Sequence, residues 1–250
     1  MKRLILLSSL LFGGLLSTHV NAAGGEPVFA FTPHPDNIAS VQRGARDFMN
    51  YCSGCHSLKY LRYSRAAADL GLPEELVEKS LMFTTEKVQQ PIVSAMPAQA
   101  ESWFGRQPPD LSLVSRKRGP AWVYSFLNGF YVDPSKAATG VNNLQLPGAS
   151  MPHVLWEQQG FRAQVEAPEG EHAEAEHGGH HAPELETVME GKLTQDEYEE
   201  MIADLTNFLI YAAEPGRADR ISLGMKVLFY MLLLVGLTYM LKREFWRDVH

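Results

Sequence analysis

Two cysteines and a histidine within five residues are the most chemically distinctive feature of the sequence. Cys52 and Cys55 are three positions apart, His56 follows directly, and the 250-residue chain has no other cysteine. Two cysteines are too few for a disulfide framework, a four-cysteine zinc site or an all-cysteine iron–sulfur cluster. The C-x-x-C-H spacing predicts covalent haem attachment, because both thiols can bond the haem vinyl groups while the imidazole lies beneath the iron.

Three other uses of this motif compete with haem attachment. A thioredoxin-like redox pair needs a βαβ setting, which the sequence pattern does not indicate. A zinc site needs further ligands, and there is no second C-x-x-C. A simple disulfide would not need His56. Haem attachment agrees best with an exported protein, because this covalent chemistry takes place outside the cytoplasm.

The face of the iron opposite His56 decides what kind of chemistry is possible. An open position suits peroxidase or gas-sensing chemistry, whereas a methionine sulfur closes the site, raises the potential and favours outer-sphere electron transfer. Met96 and Met151 are favoured candidates because each lies in a proline-containing loop, and His153 is a rival ligand. Periodicity does not choose among them. The other methionines weighed as ligands are Met82, Met189 and Met201.

The N-terminal 22 residues have the pattern of a secretory signal. Lys2 and Arg3 precede an apolar run over 4–16, and Val20-Asn21-Ala22 supplies the small residues of a cleavage site. The apolar run is too short for a spanning helix, which needs about 20 residues. We predict cleavage near Ala22 or Ala23 rather than an uncleaved anchor.

The C-terminal region predicts a membrane anchor. Residues 221–241 contain the single charge Lys226, and at about 1.5 Å per residue they span the roughly 30 Å hydrocarbon layer. A buried core helix is the alternative. Since a signal peptide exports what precedes the anchor, we predict a periplasmic domain over 23–220 and a cytoplasmic tail over 242–250. The predicted location is therefore a bacterial inner membrane, crossed once.

Composition and charge exclude several other classes. With 45% hydrophobic and 20% charged residues the chain is ordinary globular protein, neither collagen-like nor wholly disordered. The net charge of -7 argues against a nucleic-acid binder with a basic surface. Removing the signal takes away two cations and no acid, so the charge becomes -9. An acidic surface would speed the encounter with a basic electron carrier.

The pattern of the exported part is mainly α. We predict a helix from Asp36 or Asn37 to Tyr51, a helical pattern over 58–80 broken by Gly71 and Pro73, and an apolar helix over 121–131. Thr194-Gln195-Asp196-Glu197 is a capping box that begins another helix. Residues 163–190 are predicted to be a flexible, acidic insert without Lys or Arg. Its histidines are His172, His177, His180 and His181.

The sequence resembles the cytochrome c1 family, the haem subunits of the cytochrome bc1 complex (ubiquinol–cytochrome c reductase). The blocks that carry the resemblance are FMNYCSGCHSLKYLRYSR (48–65), PPDLSLVSRKR (108–118), YSFLNGFY (124–131), PGASMPHVLW (147–156) and DLTNFLIYAAEPGRADRISLGMKVLFYMLLL (204–234). This resemblance implies a class I c-type cytochrome-like haem domain with loop insertions and one C-terminal transmembrane helix. It also implies one covalent haem c, attached at Cys52 and Cys55.

The resemblance extends to individual positions of the haem site. It implies that His56 is the proximal ligand and that Met151 is the distal one. Pro108, Pro109 and Leu111 match the segment that lines the haem edge. Arg118 matches an arginine near a haem propionate, and a buried propionate does need a cation.

The function implied by the resemblance is electron relay. One electron would pass from the Rieske iron–sulfur protein through the haem to a soluble or membrane-anchored c-type cytochrome. Cytochrome b would lie beside the anchor in a dimeric complex, and the chain would not be catalytic by itself. The alternatives are another anchored cytochrome that feeds a terminal oxidase or reductase, a peroxidase with an open haem, and a module that chelates metal through 166–186.

Overall fold

Helices are the main regular element of the computed structural model, which describes residues 25–136, 139–165 and 185–248. The predicted signal peptide and most of the acidic insert lie outside these residues. The described helices are α1 Ile38–Tyr51, α2 Tyr63–Asp69, α3 Glu74–Ser80, α4 Ala100–Phe104, α5 Val114–Lys117, α6 Pro120–Asn128, α7 Trp156–Gln159, α8 Gln195–Ala213 and α9 Arg217–Phe245. The described strands are β1 Leu58–Arg62, β2 Pro91–Ile92, β3 Phe130–Val132, β4 Val141–Asn143, β5 Gly160–Gln164 and β6 Leu185–Glu190.

The crossing of α1 and α8 forms the centre of the domain. In α1 the buried residues Val41, Ala45 and Phe48 recur at helical spacing, and Phe48 meets Phe208 of α8 with ring centroids 5.5 Å apart. Gly44 allows the close approach, because a Cβ on this residue would lie 2.0 Å from the carbonyl oxygen of Asp204. The helix that ends in the C-x-x-C-H motif is therefore held directly against the longest helix of the domain.

Both predicted helix starts are confirmed. Asn37 caps α1 by accepting a hydrogen bond from the backbone N–H of Ser40 (3.3 Å). Thr194 and Glu197 form the predicted capping box of α8, with the Thr194 N–H donating to the Glu197 carboxylate (2.9 Å). Each cap satisfies backbone donors that the first helical turn leaves without partners.

Short antiparallel strands correct three of the sequence predictions. The pattern over 58–80 is not helical throughout, because 58–62 form β1, which pairs with β2. The helix predicted over 121–131 ends at Asn128, since β3 follows and pairs with β4. The ends of the predicted flexible insert are ordered as well: 163–164 belong to β5 and 185–190 form β6, its partner. All three pairs depend on contacts between distant segments, so local periodicity does not show them.

The C-terminal helix α9 has 29 residues, none of them buried. Within the described ranges it is the one helix long and apolar enough to cross a membrane. It contains the predicted span 221–241 and adds a turn or more on each side. The expected mainly α fold with one C-terminal transmembrane helix is thereby confirmed.

Candidate haem site

The C-x-x-C-H motif forms a compact turn at the end of α1. The Cys52 N–H donates to the Phe48 carbonyl (2.9 Å), and the His56 N–H donates back to the Cys52 carbonyl (2.8 Å). Cys52 is buried, whereas Cys55 and His56 are half-buried. The last turn of α1 and these backbone bonds therefore fix both thiols and the imidazole in one rigid segment.

The two thiols are free, and their environment favours the protonated form. Burial raises the pKa of Cys52 to about 12, and the charges of Asp47 and Cys55 add to this. Burial also raises the pKa of Cys55. A redox-active cysteine needs the opposite environment, one that lowers the thiol pKa. The site thus disfavours the thioredoxin-like alternative.

A cavity of about 590 Å³, including its open mouth, adjoins the motif. Most of its lining is apolar, as a porphyrin requires. The lining residues are Tyr51, Cys52, Cys55, His56, Phe104, Arg106, Pro108, Pro109, Ser150, Met151, Pro152 and Val154. Two thiols, an imidazole and the thioether sulfur of Met151 are thus available to one bound group, and this set fits haem c.

His56 has the tautomer that an iron ligand needs. Its Nδ1 lies 2.8 Å from the Pro109 carbonyl oxygen, which only accepts hydrogen bonds, so Nδ1 carries the proton. The lone pair of Nε2 is then available to a metal. Burial lowers the pKa of His56, although the Pro109 hydrogen bond and the charge of Asp110 oppose this change. The imidazole is therefore kept neutral and oriented.

The segment that carries Pro109 is itself fixed to the strand after the motif. Asp110 accepts hydrogen bonds from the N–H groups of Lys59 (2.9 Å) and Ser112 (2.9 Å). The Leu111 N–H donates to the Ser57 carbonyl (2.9 Å). Leu111 packs against the hydrophobic core and does not line the cavity, so its contribution differs from those of Pro108 and Pro109.

Met151 is the one ligand candidate from the sequence that lines the same cavity as His56. It is half-buried in the loop between β4 and α7. His153 lies buried behind this loop with its ring stacked on Phe130, at a centroid distance of 4.9 Å. Met96 is half-buried but does not line the cavity. The remaining candidates lie elsewhere: Met82 and Met201 in or against the core, and Met189 on β6.

Arg118 does not line the cavity. Its guanidinium carbon is 5.0 Å from the centre of the Trp122 ring, a cation–π contact. The Trp122 Nε1 donor is buried, and no described residue accepts its hydrogen bond. A buried N–H without an acceptor is rare in proteins. Trp122 does not line the cavity either, so the match of Arg118 to an arginine near a haem propionate stays a prediction from the resemblance.

Sequence reasoning missed Arg106, which lines the cavity from the loop after α4. No periodicity or motif marks this residue, because an isolated arginine in a glycine- and proline-containing loop is usually a solvated surface charge. Tyr51, Phe104 and Val154 also line the cavity and were missed. Tyr51 ends α1, Phe104 ends α4 and Val154 follows the Met151 loop, so only the fold brings them together.

An apolar cavity with two thiols, an imidazole and a methionine, on a helical domain with a membrane anchor, defines a c-type cytochrome. Comparison with known proteins narrows the class. The model of the cytochrome C1 family matches residues 31–249. The chain is 42% identical to cytochrome c1 of Allochromatium vinosum, over 100% of both chains. The chain belongs to the cytochrome c1 family.

Two further known proteins are similar to this chain over most of its length. The ammonia monooxygenase gamma subunit of Nitrosomonas europaea is 38% identical over 84% of this chain and 84% of its own. Cytochrome c1 of Rhodospirillum rubrum is 29% identical over 84% of this chain and 81% of its own. Membership of this family means that the cofactor is one covalently bound haem c. The chain is the haem subunit of a cytochrome bc1 complex, in which cytochrome b is another subunit.

Proposed function

We propose that this chain passes one electron from a Rieske iron–sulfur protein, through haem attached at Cys52 and Cys55, to a c-type cytochrome. His56 and Met151 are the proposed axial ligands. The observation that supports this proposal most directly is that both thiols, the imidazole and the Met151 side chain line one cavity. When bound there, haem c supplies a one-electron couple, and no bond of a substrate is made or broken.

The residues around the cavity set the properties of that couple. The hydrogen bond from His56 to the Pro109 carbonyl fixes the orientation of the imidazole and makes its Nε2 a stronger metal ligand. The thioether sulfur of Met151 would serve as the second ligand to a bound haem iron, and a methionine ligand raises the potential. The apolar lining keeps water away from the iron. Arg118 and the Trp122 N–H are proposed to receive a propionate, because the first is a cation and the second has no acceptor among the described residues.

The proposed partners follow from the placement of the domain. We infer that α9 anchors the chain beside cytochrome b in a dimeric complex, with the haem domain in the periplasm. The signal-like residues 1–22, which lie outside the described residues, support this orientation. Copurification tests the partners: a detergent-solubilised chain that isolates without a b-type cytochrome and a Rieske protein would favour the alternative of another anchored cytochrome.

Replacing the proposed distal ligand tests the haem site. In Met151→Leu we expect the reduction potential to fall by on the order of 0.2 V, a part of the roughly 0.8 V range that axial ligands cover. We also expect the reduced iron to bind CO, because the sixth position opens. Redox titration and CO difference spectra measure both effects in the solubilised complex.

Met96→Leu is the matched control, since Met96 also lies in a proline-containing loop but does not line the cavity. It should keep the wild-type potential and remain inert to CO. An unchanged potential in Met151→Leu, or a fall in Met96→Leu instead, would remove Met151 as the ligand. Wild-type protein that binds CO when reduced would point to an open site and to the peroxidase alternative.

A further inference from the structure

A chain of buried polar side chains lies behind the loop that carries Met151. It begins at His153, two residues after Met151, and continues through Gln159 and Arg162 to Asn128. All four residues are less than 9% exposed. Buried polar groups are costly unless their hydrogen bonds are made, so a connected chain of them constrains the positions of its members.

His153 joins this chain through its ring Nε2. In the amide orientation of Gln159 that satisfies its neighbours, the amide nitrogen donates to His153 Nε2 (2.9 Å). Nδ1 therefore carries the ring proton, and the Gly160 carbonyl is the backbone acceptor that faces the imidazole. The ring also stacks on Phe130 and meets the edge of Phe161 at 6.3 Å. His153 is thus fully engaged away from the cavity and is not a rival ligand.

Arg162 fixes the other end of Gln159. In the same orientation the Gln159 amide oxygen accepts from Arg162 Nε (3.3 Å), while Arg162 Nη2 donates to the backbone carbonyl and to Oδ1 of Asn128 (3.3 Å for Oδ1). Among the residues that the structure describes, Arg162 makes no ion pair, and burial lowers its pKa. Burying a cation is costly unless its donors are hydrogen-bonded. The bonds to Gln159 and Asn128 meet part of that need and hold the guanidinium in place, and the charge of Glu199 also favours the cation.

The opposite end of the loop is fixed separately, by two asparagines of β4. Asn142 Oδ1 accepts from the Gly148 N–H (2.8 Å), and Asn143 Oδ1 accepts from the Leu146 N–H (3.1 Å). Between Gly148 and His153 the loop contains Met151 and the conformationally rigid Pro152. The position of Met151 therefore depends on a fixed point three residues before it and on another two residues after it.

We propose that His153 is a positioning residue for Met151, held in place by Gln159, Arg162 and Asn128. This inference rests on the proposed role of Met151 as the distal ligand. The buried imidazole fixes the loop, so the methionine sulfur stays at the cavity and the closed form of the site predominates. Without the chain of hydrogen bonds the loop moves more freely, and the sixth position opens in a larger fraction of molecules.

Two variants test the proposal in the full-length, haem-containing complex. His153→Phe keeps a ring that can stack on Phe130 but removes the hydrogen bond to Gln159, and Gln159→Leu removes the link to Arg162. In each we expect the CO-reactive fraction of the reduced haem to rise about tenfold, the factor that corresponds to one lost buried hydrogen bond. The reduction potential should fall, while the pyridine haemochrome spectrum, which reports covalent attachment, stays unchanged.

Gln42→Leu is the matched control. Gln42 donates to the Leu70 carbonyl (2.7 Å) from α1, outside the loop, so its loss should leave the potential and CO reactivity at wild-type values. If Gln159→Leu does not accumulate, Gln159→Glu replaces it, because a carboxylate pairs with Arg162 but cannot donate to His153. Wild-type potential and CO inertness in His153→Phe together with either Gln159 variant would overturn the proposal.

Met151→Leu separates this inference from the proposed function. If that variant stays closed to CO, the ligand assignment is wrong and the positioning role falls with it. If Met151→Leu opens the iron but the His153 and Gln159 variants do not, the ligand assignment stands and the positioning role alone is wrong. The positioning role would also be overturned if Gln42→Leu lowered the reduction potential as much as Gln159→Leu does. The effect would then come from destabilising the domain as a whole and not from the loop that carries Met151.

Discussion

His56 shows how a single residue acquires its role from neighbours that are distant in sequence. The C-x-x-C-H spacing predicts its chemistry, but its tautomer depends on the Pro109 carbonyl, 53 residues away. That carbonyl is positioned in turn by Asp110, which accepts from Lys59 and Ser112. The motif therefore supplies the ligand, while the proline segment supplies the proton placement that makes Nε2 available.

Tyr124 is a single side chain that makes the stability of the domain depend on pH. Burial, reinforced by the charge of Glu199 and a hydrogen bond to it, raises the pKa of Tyr124 to about 12 from 10. Between pH 10 and 12 the unfolded chain loses the Tyr124 proton while the folded chain keeps it. The contribution of Tyr124 to the free energy of unfolding is therefore complete below pH 10 and is lost as the pH rises through 12. The expected loss is about 2–3 kcal/mol.

Alkaline denaturation measures this effect when wild type is compared with Tyr124→Phe. The variant cannot ionise at this position, so its free energy of unfolding should fall less steeply between pH 10 and 12. Tyr131→Phe is the comparison variant. Burial also raises the pKa of Tyr131, but this side chain is only half-buried, so its removal should change the pH dependence less. Parallel stability curves for wild type and Tyr124→Phe would contradict the prediction.

The packing of α1 on α8 belongs to the scale of elements. Gly44→Ala should destabilise the domain by about 3 kcal/mol, because the added methyl group would overlap the Asp204 carbonyl and the helices would have to separate. Thermal unfolding of the haem-containing protein measures the loss. Gly216→Ala is the control, since a Cβ there has nothing within 4 Å and the residue lies outside the haem site and the α1–α8 contact. Equal melting temperatures for the two variants would show that α1 and α8 can separate freely.

Elements with local signals could be predicted from the sequence, and those that depend on distant pairing could not. The capping box at Thr194 and the apolar stripe of α1 are encoded within one or two turns. The pairing of Phe130–Val132 with Val141–Asn143 involves three residues a side, too few to produce an alternating pattern. The β5–β6 pair joins segments on either side of the acidic insert, which composition alone presented as one flexible unit.

The residues of the candidate site also fall into those that the sequence predicts locally and those that only the fold reveals. Cys52, Cys55 and His56 form a contiguous motif whose chemistry follows from spacing. Spacing could not choose between Met96 and Met151, because the choice depends on which loop reaches the cavity, and the resemblance to a family selected Met151. Arg106 and the role of Trp122 could be found only in the fold, where a cavity lining and a buried donor without an acceptor become visible.

At the scale of the whole molecule, the structure separates a folded haem domain from its anchor. No residue of α9 is buried, and its 29 residues extend about 44 Å, more than the roughly 30 Å hydrocarbon layer. Its first turn pairs with the domain through Arg217 and Asp36 (3.4 Å) and through Arg220 and Glu214 (2.6 Å). Exposed ion pairs of this kind contribute about 0–1 kcal/mol, so the domain does not depend on them.

A chain that ends at residue 216 should therefore leave the membrane and keep its haem. We expect the protein in the soluble fraction, with the wild-type reduced spectrum and potential, because the cavity and the α1–α8 packing lie wholly before α9. A chain that ends at residue 241 is the control: it lacks the tail but keeps the apolar span, and it should stay in the membrane fraction. Truncated protein that lost its haem, or that remained in the membrane after a high-salt wash, would show that α9 belongs to the folded domain as well as to the anchor.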